Sequence, residues 1–175
     1  MRIFGLLVSG IVLGGTVLAA AALPRVGDAA PDFSVAASDG STVRLRDVTG
    51  PKHIVLYFYP KDDTPGCTTE ACEFRDNIYA FKKLDCQILG VSLDDVDSHK
   101  EFAEKYSLPF PLLADTAGTV ADAYGVKSKF MGMTVAKRQT FLIDPAGNIA
   151  KHYAQVDPKT HSQQVLADLK TLQEK

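Results

Sequence analysis

Three cysteines stand in 175 residues, at positions 67, 72 and 86. They are too few and too unevenly placed for a disulfide scaffold or a four-cysteine zinc site, so chemistry is the better expectation than architecture. A thiol is a strong nucleophile only as thiolate, and a helix start favours that form through its unpaired N–H groups and dipole. Cys67 follows the bend Pro65-Gly66 and precedes Ala71, Phe74, Ile78 and Phe81 at helical spacing. The pattern predicts a helix beginning at or near Cys67, with the thiol on its core-facing stripe. On these residues alone, a buried structural cysteine fits as well as a nucleophile.

The elements around that thiol read as alternating strands and helices. His53–Tyr59 is a β-branched and aromatic run typical of a buried strand, broken by the loop Pro60–Gly66. Gln87–Ser92 is the next strand. Ser98-His99-Lys100-Glu101 has capping-box form and predicts a helix that stops before Pro109. Thr140–Asp144 and Asn148–Tyr153 flank the turn Pro145-Ala146-Gly147 as a hairpin. Asp157-Pro158 predicts an N-cap followed by proline at the first helical position, leading into a helix with the stripe Val165, Leu166, Leu169 and Leu172. This order predicts an α/β, thioredoxin-like fold: a central mixed β-sheet flanked by helices over residues 24–175.

Residues 1–23 are a separate object. Apart from Arg2 they carry no charge, and the apolar run from Ile3 to Leu18 ends in Ala19-Ala20-Ala21-Ala22. Such a run predicts a cleaved signal peptide or an N-terminal membrane anchor acting through residues 3–23. The expected location is exported: periplasmic, or anchored in the bacterial envelope, rather than cytoplasmic. Without Arg2, 18 basic residues face 21 acidic ones, well mixed, which argues against a nucleic-acid surface.

The segment Tyr59-Pro60-Lys61-Asp62-Asp63-Thr64-Pro65-Gly66-Cys67-Thr68-Thr69-Glu70-Ala71-Cys72-Glu73-Phe74-Arg75-Asp76 closely resembles the active-site loop of peroxiredoxins. Specifically, it resembles the bacterioferritin-comigratory-protein, or peroxiredoxin Q, subfamily. The likeness continues through Leu89–Ser92, Ser98-His99, Tyr106–Phe110, Leu112–Asp115 and Arg138–Asp144, covering roughly residues 24 to 172.

The resemblance implies a thiol peroxidase acting on hydrogen peroxide and organic hydroperoxides. Cys67 would be the peroxidatic cysteine and Cys72 the resolving one. Thr64 would contact thiolate and peroxide, Pro60 would shield the pocket, and Arg138 would supply positive charge. It further implies a thioredoxin or thioredoxin-like reductant, a monomer, and neither cofactor nor metal. A redox disulfide Cys67–Cys72 carries a geometric condition. Residues five apart on an intact helix have Cα atoms about 8.7 Å apart and point about 140° away from each other, whereas disulfides need about 7 Å or less. The helix must therefore unwind for the link to form.

Cys86 opens an apolar strand without an obvious partner and reads as a buried, inert thiol. His53, His99, His152 and His161 are scattered, and none is assigned to a metal or to acid–base work. Two features of over-oxidation-sensitive peroxiredoxins, a Gly-Gly-Leu-Gly segment and a terminal Tyr-Phe helix, are missing, so the resemblance implies resistance to over-oxidation. Two rival functions use different spacings. An exported thiol–disulfide oxidoreductase needs Cys-x-x-Cys, but Thr64 stands three before Cys67. A thioredoxin-like copper-delivery protein needs Cys-x-x-x-Cys with a distant histidine, and the spacing here is one residue longer.

Overall fold

A computed structural model describes residues 23–174; the signal or anchor segment expected at 1–23 lies outside it except for Leu23. The chain opens with an antiparallel pair, β1 (Ser34–Ala36) and β2 (Thr42–Arg44), then α1 (Leu45–Val48) and β3 (His53–Phe58). Next come α2 (Pro65–Asp76), α3 (Ile78–Lys83), β4 (Cys86–Ser92), α4 (Val96–Tyr106), β5 (Leu112–Ala114) and α5 (Thr119–Ala123). A hairpin of β6 (Lys127–Phe130) and β7 (Met133–Ala136) precedes β8 (Gln139–Ile143), β9 (Ile149–Tyr153) and α6 (His161–Gln173).

The central sheet has the order β5-β4-β3-β8-β9. β3 pairs in parallel with β4 and antiparallel with β8, so the sheet is mixed, as expected. Strand alternation divides the core in two. Ile54, Leu56 and Phe58 of β3 pack with Tyr124 and Phe141 on one face. Val55, Tyr57 and Tyr59 face the other way and pack with Cys67, Ala71, Phe74, Phe81, Val165 and Leu169. The nucleophile candidate thus belongs to the layer formed by α2, α3 and α6.

α2 starts near Cys67, as expected, whereas the starts of α4 and α6 differ from the sequence expectation. α2 begins at Pro65, two residues before Cys67, with Thr64 as N-cap and proline at the first position. Its run toward Phe81 is interrupted at Asn77, which separates α2 from α3. The cap of α4 is Asp95, not Ser98: the Asp95 carboxylate accepts the Ser98 N–H at 2.9 Å. A nearby carboxylate has captured the donor that the capping box assigned to the serine's own neighbourhood. Asp157 does not cap α6. It caps the turn before it instead: its carboxylate accepts the Lys159 N–H at 3.0 Å, its carbonyl accepts from Thr160 and His161, and the helix starts at His161.

Candidate active site

Because Pro65 has no N–H and the Thr68 N–H bonds back to the Thr64 carbonyl at 2.9 Å, the Gly66 and Cys67 N–H groups lack intrahelical acceptors. Cys67 therefore sits at an electropositive helix start, as the sequence predicted, with only 1% of its surface exposed.

Arg138 arrives from the residue just before β8. Its Nη2 donates to Cys67 Sγ at 3.2 Å, while Nη1 donates to the Glu70 carboxylate. Gly66 makes room for this approach: a Cβ there would lie 3.1 Å from Nη2. Half-burial works against the charge of Arg138, but Glu70 and Cys67 beside it prevail and hold its pKa above the ordinary value.

Glu70 is the residue that sequence reasoning missed. It is 1% exposed, and burial pushes its carboxyl up to about 7 although Arg138 opposes the shift. Its Oε1 and the Tyr57 hydroxyl, both buried on the Cys67 side of the sheet, lack hydrogen-bond partners among the described residues. Burial, with Glu70 and Cys67 adding to it, drives the Tyr57 pKa far up and keeps the phenol neutral. The Glu70 signal in the sequence was a carboxylate three residues after a core-facing cysteine, a position on the same helix face.

The loop before Cys67 is tied to α4. Asp62 Oδ1 accepts from the Tyr59 hydroxyl at 2.7 Å; Oδ2 accepts from Ser98 Oγ at 2.8 Å and lies 2.7 Å from His99 Nδ1. His99 is fully buried, with Nε2 3.1 Å from the Leu113 carbonyl oxygen. The Asp62 N–H donates to Asp94, and Lys61 pairs with Asp94 at 3.1 Å. Asp63, at φ 58°, accepts from Lys105 at 2.6 Å and from the Tyr106 hydroxyl at 2.9 Å. His99 thus has a structural task that its isolated position in the sequence concealed.

The remaining predicted residues are distributed as follows. The Thr64 hydroxyl donates to the Lys61 carbonyl at 3.0 Å, and Pro60 is half-buried beside the β6–β7 hairpin. Cys72 is half-buried on the same unbroken helix as Cys67, and all three cysteines are free thiols. Cys86 is buried in β4, and burial pushes its thiol up to about 12.

The arrangement of cysteine, helix start and arginine falls within a known lineage. Residues 26–152 match the AhpC/TSA family model. Peroxiredoxin Bcp of Bacillus subtilis is 45% identical over 158 residues, covering 86% of this chain and 98% of its own. This chain belongs to the AhpC/TSA family. Within it the chain is a peroxiredoxin of the Bcp and Q group, as the loop and register predicted. Chloroplastic peroxiredoxin Q of Oryza sativa subsp. japonica is 43% identical over 147 residues, covering 83% of this chain and 67% of its own. The crystal structure of peroxidoxin BcpB from Mycobacterium tuberculosis superposes with a TM-score of 0.80 at 35% identity, over 85% of this chain and 98% of that one. A mutant of Xylella fastidiosa PrxQ gives 0.81 at 33% identity, over 87% and 99%. These likenesses establish the thioredoxin-like fold.

Proposed function

We propose that this peroxiredoxin reduces hydrogen peroxide and organic hydroperoxides through Cys67, and that Cys72 resolves the product. The observation that carries this reading is the 3.2 Å contact from Arg138 to the Cys67 sulfur at the start of α2. The Cys67 thiolate attacks one peroxide oxygen and the O–O bond breaks. Cys67 becomes sulfenic acid, and the departing oxygen takes a proton to leave as water or alcohol. Arg138 stabilises the negative charge that moves onto the departing oxygen. The subfamily likeness supports a peroxide contact for the Thr64 hydroxyl, which here donates to the Lys61 carbonyl, and a water-excluding role for Pro60. The Cys72 thiol then displaces the sulfenic hydroxyl as water, forming the Cys67–Cys72 disulfide. A thioredoxin-like dithiol returns both sulfurs to thiols.

The apolar run Ile3–Leu18 supports export, with residues 1–23 cleaved as a signal or kept as an anchor. The subfamily likeness supports a monomer. The enzymatic reading is tested by peroxide consumption with dithiothreitol as reductant. Cys67→Ser abolishes turnover, while Cys72→Ser consumes one equivalent of peroxide in a rapid first turnover and then slows. Rapid full turnover by Cys67→Ser contradicts the assignment.

A further inference from the structure

The β6–β7 hairpin carries a surface that the chemistry at Cys67 does not use. Its two central residues, Met131 at φ 48° and Gly132 at φ 83°, make the tight turn of a two-residue hairpin. Phe130, Met131 and Met133 stand 61%, 84% and 50% exposed. Lys127, Lys129 and Lys137 are exposed around them, and none pairs with a carboxylate among the described residues. No acidic residue occurs between Asp122 and Asp144. A cavity of about 240 Å³ separates the hairpin from the active-site loop, lined by Pro60, Lys129, Phe130, Val135, Ala136 and Lys137. From Ala136 the chain passes directly to Arg138, which touches Cys67. Aromatic and methionine side chains within a charged rim are the composition of a protein-binding surface.

We propose that this hairpin and the Pro60 wall form the docking surface for the protein dithiol that reduces the Cys67–Cys72 disulfide, a partner with an acidic face around an apolar patch. The inference rests on the peroxidase reading above and names the recognition of its second substrate. Three uncompensated lysines call for negative charge opposite them. The same lysines disfavour a two-fold pairing of this face with itself, since that pairing sets like charges together. Continuity with Arg138 and Pro60 places a docked partner beside the sulfurs it must reach. There, one partner thiolate attacks a sulfur of the disulfide to give a mixed disulfide, and its second thiol displaces the enzyme sulfur. The partner is oxidised by two electrons, and Cys67 and Cys72 each regain a proton.

The test uses the full chain with an acidic thioredoxin, kept reduced by its reductase and NADPH, against dithiothreitol. Lys127→Glu/Lys129→Glu and Phe130→Ser/Met131→Ser are each expected to raise the KM for thioredoxin about tenfold or more, leaving turnover with dithiothreitol unchanged. Added salt is expected to slow the wild-type thioredoxin reaction alone. Unchanged thioredoxin kinetics in both variants overturn the proposal, as does an equal loss with dithiothreitol. Loss of flotation with phosphatidylglycerol vesicles, or of a sedimenting dimer, with reductant kinetics intact would assign the face to lipid or to a second copy and overturn it too. If the wild type consumes no peroxide with dithiothreitol, the peroxidase reading itself fails and the docking site falls with it.

Discussion

Arg138 holds Cys67 with one guanidinium nitrogen, at 3.2 Å, and the buried carboxylate of Glu70 with the other. The guanidinium fork is thereby fixed by one residue while it faces the sulfur of another, both on the first turns of α2. A lysine cannot reproduce this, since a point ammonium lacks the planar pair of donors.

Arg138→Lys is therefore expected to slow the reaction of Cys67 with peroxide by about 10²-fold. Stopped-flow measurement of the second-order rate constant checks this, and a rate near the wild type would separate Arg138 from the chemistry.

Gly66 shares that geometry. A methyl at Gly66 would meet Arg138 Nη2 at 3.1 Å and displace the guanidinium, although alanine suits a helix better than glycine. Gly66→Ala is expected to slow peroxide reduction roughly tenfold while helix content by circular dichroism is kept.

Two buried groups give opposing pH terms. Burial raises Glu70 from 4.5 to about 7, so between those values the unfolded chain has lost a proton that the folded chain keeps; stability falls as pH rises. Burial lowers His161 from 6.5 to about 4, so in that window the unfolded chain binds the extra proton; stability rises with pH. Each slope is about 1.4 kcal/mol per pH unit, and between about 4.5 and 6.5 they offset. Glu70→Gln is expected to expose the rising term and His161→Asn the falling one. Urea unfolding at a series of pH values reads both slopes; parallel curves for the two variants would contradict the assignment.

The strand His53–Phe58, the hairpin around Pro145–Gly147, the stripe of α6 and the place of Cys67 were legible because each depends on neighbours in sequence. Arg138 was reached only through the family register, since its partners lie 68 and 71 positions away. The spacing of Glu70 puts it on the helix face of Cys67, but its burial and its pairing with Arg138 emerge only in the fold. His99 likewise acquires Asp62 from 37 positions away. The β6–β7 hairpin escaped notice because its strands are largely exposed and its turn is Met-Gly rather than Asn-Gly.

The Asp62–His99 pair anchors the loop before Cys67, so its loss acts on stability first. His99→Ala leaves the Asp62 carboxylate buried without one of its three side-chain partners. It is expected to cost about 2 kcal/mol in chemical unfolding, the scale for leaving a buried polar group short of a hydrogen-bond partner. A variant as stable as the wild type would show that the pair does not secure the loop.

The same anchors bear on resolution. Lys61, Asp62 and Asp63 fix the chain before Cys67, and Arg75 Nη1 donates to the Tyr106 carbonyl at 2.8 Å near the end of α2. The opening that the proposed resolution requires is expected between these ties, in the turns holding Cys67 and Cys72. The most direct measurement treats the full chain with one equivalent of hydrogen peroxide and follows peptide mapping and amide exchange together. The expected result is a Cys67–Cys72 disulfide, Cys86 still a free thiol, and faster exchange confined to residues 67–74. An unmodified Cys67, or a Cys67–Cys72 link with the exchange of α2 unchanged, would contradict the account.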